Sequence, residues 1–366
     1  MSTSPPAPAG DDAPPPGPDP AARARTATLW RWLAILLALA VGAAVIALVW
    51  PRGGPDGAPR VIYTGATPLP GRATTGVFIT PMDGHGPLLD EIAAAREEIT
   101  LHIYLVSDQQ VIDALAAAAR RGVHVRVLLE EHPYGGGGGQ PEAFERLEQA
   151  GLDVRWSDPV FRFSHVKTFT MDRAVAVIMN MNLTWSAFTQ NREVNVITNE
   201  PGIVRHALAV FEADWNRTSE PPDGPLIVSP DGARSDLLAL IACAQRSLDI
   251  YAEVLRDDEF FRAIARAAER GVTVRIVMSP GDDRQLSTLR GLAERGVEVR
   301  LVSDVYIHAK VFLVDGERAF VGSQNMTSTS LDQNRELGAI VEDPGAVERI
   351  GRVFDLDFRL GREVTP

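Results

Sequence analysis

The sequence predicts a mixed α/β fold built from two tandem lobes and preceded by a transmembrane helix. Three observations predict it: an uncharged stretch near the N-terminus, an internal repeat of alternating strands and helices, and one His–Lys pattern that occurs once in each copy. The expected order is a disordered tail (residues 1–31), a transmembrane helix (32–50), a linker (51–75), lobe one (76–218), a short linker (219–224) and lobe two (225–362).

The composition is that of a folded protein with an acidic surface. The chain has 366 residues, of which 45% are hydrophobic and 23% charged, and its formal net charge of −12 disfavours a nucleic-acid partner. The single cysteine, Cys243, excludes an internal disulfide and a cysteine-based zinc site, and its apolar neighbours predict a position in the core of a helix. Lys167 and Lys310 are the only lysines, and each follows a histidine by two residues.

Residues 32–50 contain no charged side chain and have tryptophans at both ends. At about 1.5 Å per residue a helix of this length spans about 28 Å, close to one hydrocarbon core. Three arginines precede the segment within nine residues and two follow it, which favours a cytoplasmic N-terminus and an extracytoplasmic body. A cleaved signal peptide is the alternative, although no clean cleavage site follows the segment.

The rest of the chain repeats itself. The run RRGVHVRV at residues 120–127 matches ERGVTVRI at residues 269–276, and LHIY at residues 101–104 resembles LDIY at residues 248–251. Helical apolar spacing before each Arg-Gly and β-branched runs after it predict helix and strand in alternation, hence an α/β fold with a mostly parallel or mixed sheet. Two tandem copies can pair about a pseudo-two-fold axis, so we expect a monomer that forms an intramolecular pseudo-dimer.

Each copy carries the pattern His-x-Lys-x4-Asp. Its members are His165, Lys167 and Asp172 in copy one and His308, Lys310 and Asp315 in copy two. Side chains at positions i and i+2 of a strand lie on the same face, so an imidazole and an ammonium group converge in each copy. The aspartate falls in the opposite phase, and Asp-Gly is a hairpin signal in copy two, so we interpret it as structural.

Polar residues follow each motif at the end of the next strand. Asn180, Asn182, Ser323 and Asn325 are candidate hydrogen-bond donors to a phosphate oxygen, and Glu193 and Glu336 are candidates to hold a histidine in one tautomer. This set suits a phosphodiester, because ammonium and amide groups bind its free oxygens while one histidine attacks phosphorus and the other protonates the leaving alkoxide. No carboxylate cluster is needed, so no metal or cofactor is expected.

At these residues the sequence resembles the phospholipase D superfamily, whose signature is the doubled motif followed by Gly-Ser-x-Asn, here at residues 322–325. The resemblance covers about residues 76–360. It implies two lobes with one active site between them, a phosphohistidine intermediate and independence of metal ions. By position it implies that His165 is the nucleophile and His308 the general acid, with both motifs, including Asp172 and Asp315, in the catalytic set. Copy one has Met179-Asn180 in place of Gly-Ser, which leaves open whether Met179 reshapes half of the site.

The function expected from these features is that of a membrane-anchored phospholipase D that hydrolyses phospholipid headgroups. A phosphatidyl transferase similar to cardiolipin synthases is the first alternative, since a lipid alcohol can replace water in the same chemistry. An exported metal-independent nuclease and a catalytically inactive binding module are the others. The sequence leaves the headgroup and the acceptor open.

Overall fold

The computed structural model describes residues 74–134, 140–218 and 223–366, which form two lobes of the same architecture. The predicted tail and transmembrane helix, and nearly all of the first linker, lie outside the described residues. Within the described ranges, no helix is both long enough and apolar enough to cross a bilayer.

The first sheet and the helices around it form lobe one. Its elements are β1 (Thr75–Thr80), α1 (Gly86–Ala94), β2 (Glu98–Ile103), α2 (Gln109–Arg120), β3 (His124–Leu129), α3 (Gln140–Gln149), β4 (Asp153–Trp156), β5 (Lys167–Met171), β6 (Val175–Met179), α4 (Trp185–Thr189), β7 (Asn191–Thr198) and α5 (Pro201–Trp215).

The second sheet and its helices form lobe two. Its elements are β8 (Ile227–Ser229), α6 (Ala233–Cys243), β9 (Ser247–Tyr251), α7 (Asp258–Glu269), β10 (Thr273–Met278), α8 (Asp283–Ala293), β11 (Glu298–Leu301), β12 (Tyr306–Ile307), β13 (Val311–Val314), β14 (Arg318–Gly322), α9 (Ser328–Asp332), β15 (Glu336–Val341), α10 (Pro344–Leu360) and β16 (Arg362–Glu363).

Both sheets are mixed and share one strand order. Lobe one runs β4-β3-β2-β5-β6-β7-β1, and lobe two runs β11-β10-β9-β13-β14-β15-β8 with β16 added at the β11 edge. The first three strands of each order are parallel and the others antiparallel. The prediction of two tandem lobes with mixed sheets is therefore confirmed, and the short strand β12 of lobe two pairs with β7 of lobe one.

Strand pairing corrects one part of the predicted repeat. His102 lies opposite Thr168, and Tyr251 lies opposite Val311, which are the residues after Lys167 and Lys310. His102 therefore corresponds to Tyr251, and the match of LHIY with LDIY is shifted by two residues. In the correct register Tyr104 corresponds to Glu253, a pair that matters for the site.

The helices α2 and α7 end at Arg-Gly as their sequences predict, and both begin at an aspartate. Asp108 and Asp257 cap their N-termini by accepting hydrogen bonds from backbone amides. The glycines that follow their last turns, Gly122 and Gly271, have φ angles of +93° and +89°, the left-handed conformation in which helices commonly end. The prediction for Cys243 is wrong: it is exposed at the end of α6, because the buried face of that helix is formed by residues such as Leu237 and Ile241.

One of three large apolar clusters is shared between the lobes. The strands β6 and β7 pack against β14 and β15, and α10 of lobe two packs on β1 of lobe one. Fully buried residues from both sides contribute to it, among them Ile79, Val194, Val321 and Phe354. A shared core of this kind fixes the relative position of the lobes, unlike the polar contacts typical of mobile domains.

Two buried ion pairs cross the same boundary in a symmetric way. Arg192 of lobe one makes a bidentate contact with Asp357 of lobe two, with nitrogen–oxygen distances of 2.7 and 2.9 Å. Arg335 of lobe two contacts Asp214 of lobe one at 3.2 Å. Arg192 and Arg335 occupy equivalent positions, directly before Glu193 and Glu336, respectively. In each lobe, the segment that carries this glutamate is therefore also tied to the opposite lobe by an ion pair.

Replacing one arginine should destabilise the whole body. We expect Arg192→Met to lower the free energy of unfolding by about 3–5 kcal/mol, because it leaves the Asp357 carboxylate buried without its cation. Urea denaturation of the full-length protein measures this. The control is Arg352→Met, which removes an exposed pair with Glu348 and should cost less than about 1 kcal/mol. Equal losses in the two variants would contradict the role assigned to the crossing pairs.

Candidate active site

The histidines of the two motifs sit where strands cross from one lobe to the other. Tyr306 and Ile307 of β12 pair with the start of β7. In the same way, Ser164, directly before His165, bridges to Arg335, the residue before β15. Each motif histidine is thereby brought beside the glutamate of the opposite lobe.

Two histidine–glutamate pairs result. His165 Nδ1 lies 2.7 Å from Glu336 Oε2, and His308 Nδ1 lies 2.8 Å from Glu193 Oε2. Both glutamates are fully buried, and both histidine side chains are nearly so. An ionised carboxylate can only accept, so each imidazole donates from Nδ1 and leaves Nε2 available for chemistry.

The environment of Glu336 keeps this carboxylate ionised. Its Oε1 accepts from Ser330 Oγ at 2.6 Å and from Asn334 Nδ2 at 2.9 Å. Burial alone would raise the pKa of Glu336, but His165, Lys167 and these hydrogen bonds outweigh it, and the pKa is lowered. The result is a fixed negative group behind the His165 ring.

The two lysines are buried and held in the same way. Lys167 Nζ donates to the carbonyl of His165 at 2.7 Å, and Lys310 Nζ donates to that of His308 at 2.6 Å. Burial lowers the pKa of Lys167 to about 7, with Glu336 opposing the shift and Lys310 adding to it. Because a charge from lobe two acts on a lysine of lobe one, the two halves share one electrostatic environment.

The halves differ in the residue next to each lysine. In lobe one the Tyr104 ring lies edge to face with His165, with ring centroids 4.6 Å apart, and Lys167 Nζ is 5.0 Å from its centroid. In lobe two the equivalent residue is Glu253, whose Oε2 lies 2.7 Å from Lys310 Nζ. One half therefore presents an aromatic wall and the other a carboxylate.

Comparison with known proteins assigns this arrangement to a family. The family model described as "Cardiolipin synthase, PLD-like domain" matches residues 88–215 and 237–358, one match in each lobe. The chain belongs to the phospholipase D superfamily. Both matches contain one complete histidine–lysine motif, in agreement with the resemblance stated from the sequence.

Relatives within the superfamily include cardiolipin synthase A of Yersinia pseudotuberculosis (serotype O:1b, strain IP 31758). It is 25% identical over 324 residues, which cover 73% of this chain. The chain spans 65% of the length of that curated relative.

Two solved structures share the fold. Phosphatidylserine synthase of Haemophilus influenzae Rd KW20 has a TM-score of 0.63 at 15% identity and covers 78% of this chain and 87% of its own. Polyphosphate kinase of Porphyromonas gingivalis has a TM-score of 0.63 at 18% identity and covers 78% of this chain and 50% of its own.

The motif aspartates lie away from the groups that meet between the lobes. Asp172 accepts hydrogen bonds from the backbone amides of residues 96–98, and Asp315 from those of residues 245–247. Both occupy hairpin turns with positive φ, at the far end of the strand from the histidine. These contacts favour a structural role over a catalytic one for Asp172 and Asp315, and we propose that role for both. They tie each motif hairpin to the start of β2 or β9.

The four downstream polar residues divide into two kinds. Asn180 Oδ1 accepts from the amide of Val194, and Ser323 Oγ accepts from that of Leu337, so both hold the backbone next to a site glutamate. Asn325 Nδ2 donates to Glu253 Oε2 at 3.1 Å, which shows that it can bind an anion beside the motif. Asn182 is its counterpart in lobe one.

Met179 takes the place of Gly322 in lobe one, where the residues around it also differ from those in lobe two. In lobe two, a Cβ at Gly322 would lie 2.6 Å from Cζ of Phe320 and 2.7 Å from Cα of Gly338. In lobe one Val177 stands in place of Phe320 and Asn195 in place of Gly338, and Met179 is fully buried in the apolar cluster of that lobe. We therefore interpret the departure from the superfamily pattern as a packing exchange within lobe one.

Glu253 and Tyr104 are the site residues that the sequence analysis missed. The only signal was the repeat itself, and the apparent match of Tyr104 with Tyr251 hid their equivalence. Helix caps give the correct register, since Asp108 and Asp257 stand four residues beyond Tyr104 and Glu253, respectively.

Removing the carboxylate charge behind either motif histidine should slow turnover. We expect Glu336→Gln to reduce kcat by about 100-fold or more with little change in KM, because His165 loses the fixed tautomer that exposes its Nε2 lone pair. Steady-state hydrolysis of bis-p-nitrophenyl phosphate measures this. Glu193→Gln should behave alike, whereas the control Glu269→Gln, at the exposed end of α7, should match wild type. Wild-type kcat in Glu336→Gln would contradict the pairing.

The lowered pKa of Lys167 predicts a pH dependence of anion binding. Lys167 is a cation below about pH 7 and increasingly neutral above it, so it should bind sulfate best at the acid side. Calorimetric titration of wild type and Lys167→Met from about pH 6 to pH 9 measures the difference in affinity. We expect the difference to shrink by up to about tenfold per pH unit above pH 7. A constant difference over this range would be evidence against the shift.

Proposed function

We propose that this protein cleaves phospholipid phosphodiester bonds through a phosphohistidine intermediate. The observation that carries the proposal is the pair of contacts that cross the lobes, His165–Glu336 and His308–Glu193, each with a buried lysine two residues on. Two oriented imidazoles and two ammonium groups supply a nucleophile, an acid and charge stabilisation for a phosphoryl group. The superfamily assignment supports the same reaction class.

In the first step, Nε2 of His165 attacks phosphorus. A nitrogen–phosphorus bond forms while the bond from phosphorus to the headgroup oxygen breaks, and His308 transfers its Nε2 proton to that oxygen. The ammonium of Lys167 and the amide of Asn182 bind the free phosphate oxygens. Glu336 stabilises the positive charge that develops on the His165 ring.

In the second step, neutral His308 removes a proton from an acceptor hydroxyl. The acceptor oxygen then bonds to phosphorus, the nitrogen–phosphorus bond breaks, and His165 and His308 return to their initial states. Water as acceptor yields phosphatidic acid, and an alcohol yields a new phosphodiester.

The charges around the histidines support this order of roles. His308 has carboxylates on both sides, with Glu193 at its Nδ1 and Glu253 at 3.5 Å from its Nε2. Burial lowers the pKa of His165 despite Glu336, which favours the neutral ring that a nucleophile requires. His165 is therefore the proposed nucleophile and His308 the proposed acid.

Hydrolysis is the first form of the proposal, and phosphatidyl transfer to a lipid alcohol is the second. The family model is described as a cardiolipin synthase domain, and the relative cited above is a cardiolipin synthase, so transfer is supported at least as well as hydrolysis. The expected membrane anchor and the extracytoplasmic position of the body stay predictions from residues 1–60.

Product analysis separates these forms. The full-length protein in lipid nanodiscs, with chelator present, is given labelled phosphatidylcholine, phosphatidylglycerol or single-stranded DNA. We expect phosphatidic acid if water is the acceptor, cardiolipin from phosphatidylglycerol if a lipid alcohol is, and no nucleotides. Release of nucleotides with intact lipid would overturn the lipid proposal in favour of a nuclease, and no turnover at all would favour a binding module.

Histidine variants test the mechanism itself. We expect His165→Ala and His308→Ala each to lose about 1000-fold or more of kcat, because each removes a group that bonds to phosphorus or moves a proton. The control is His124→Ala, an exposed histidine on β3, which should retain full activity. Wild-type rates in both site variants would refute the intermediate.

A further inference from the structure

Glu253 makes three contacts that a substrate phosphate would be expected to make in lobe two. Its Oε2 lies 2.7 Å from Lys310 Nζ, 3.1 Å from Asn325 Nδ2 and 3.5 Å from His308 Nε2. An ammonium, an amide and an imidazole that converge on one oxygen form an anion subsite. In this structure the anion is a side chain of the protein.

The Glu253 carboxylate is ionised where it stands. Burial alone would raise its pKa, but the charges of His308 and Lys310 reverse the effect and lower it. Its other oxygen accepts from the hydroxyl of Tyr306 at 3.3 Å. Glu253 is therefore a negative charge held by partners on both oxygens.

Lobe one is arranged differently at the same place. Tyr104 replaces the carboxylate, and its hydroxyl is turned to the backbone amide of Tyr134. Within residues 74–134, 140–218 and 223–366, no carboxylate lies within 4.0 Å of Lys167 Nζ. The Lys167 ammonium, although buried, therefore has no carboxylate partner in these ranges, whereas the Lys310 ammonium is already paired with Glu253.

A second anion could not join Glu253 in lobe two without strong repulsion, because like charges at contact distance disfavour one another by a large factor. We propose that Glu253 fills the anion subsite of lobe two, so that the substrate's phosphoryl group is held by the lobe-one half and the departing or entering alcohol faces Glu253. The inference rests on the proposed function and deepens it. It makes Glu253 a specificity-determining residue whose free lone pairs accept a hydrogen bond from that alcohol.

Sulfate binding tests, without any turnover, whether the anion binds in the lobe-one subsite while Glu253 occupies the lobe-two subsite. Calorimetric titration of the full-length protein is made for wild type, Glu253→Gln, Lys167→Met and the double variant. We expect Glu253→Gln to tighten sulfate binding by about tenfold or more, since the Lys310 subsite opens. Lys167→Met should weaken binding by about tenfold or more in wild type, but by less than about threefold when Glu253→Gln is present.

Further variants control for misfolding, for the role of Lys310 and for a general effect of removing a negative charge. Glu253→Ala should reproduce the gain if Glu253→Gln is poorly folded, adding Lys310→Met to Glu253→Gln should abolish it, and the exposed control Glu269→Gln should not change the affinity. Unchanged or weaker binding in both Glu253 variants, or an equal cost of Lys167→Met with and without Glu253→Gln, would overturn the inference. If the sulfate pattern holds while no phospholipid is turned over, the proposed function fails and the division between subsites stands.

Discussion

The site depends on an exchange between the lobes. Each lobe supplies a histidine and a glutamate, but the glutamate orients the histidine of the other lobe, through His165–Glu336 and His308–Glu193. The exchange depends on two backbone pairings across the boundary, Tyr306 with Asn191 and Ser164 with Arg335. Each imidazole therefore takes its tautomer from a carboxylate of the opposite lobe, so the proposed chemistry needs both lobes.

The surroundings of this exchange keep it rigid. The arginines beside the glutamates, Arg192 and Arg335, form buried ion pairs with the opposite lobe, and an apolar cluster shared by both sheets lies behind them. A displacement of about 1 Å can cost a large factor in rate, so the proposed reaction, in which two imidazoles act on one phosphorus, requires a fixed interface. Next to the two lysines the symmetry is broken, because Tyr104 lies beside Lys167 whereas Glu253 lies beside Lys310.

Much of this could be predicted from the sequence. The repeated Arg-Gly helix ends and the doubled His-x-Lys pattern predicted the lobes and the converging groups, because helix caps and strand alternation are local properties. The opposite-lobe partner of each glutamate could not be predicted, since pairing across a pseudo-two-fold axis leaves no mark on local spacing. Glu253 was missed because two tyrosines, Tyr104 and Tyr251, suggested a register that only strand pairing with the motif strands corrects. Cys243 was misplaced because a helix with apolar residues around most of its surface does not reveal which face is buried.

A crystal structure of the protein with orthovanadate would test the central claim most directly. Vanadate takes the five-coordinate geometry of an in-line displacement at phosphorus. The account predicts one vanadium bonded to Nε2 of His165, with Nε2 of His308 within hydrogen-bond distance, about 3 Å, of the oxygen on the opposite side. Vanadate bound to one lobe, with the imidazole of the other more than about 10 Å from it, would contradict a single site shared by the two lobes.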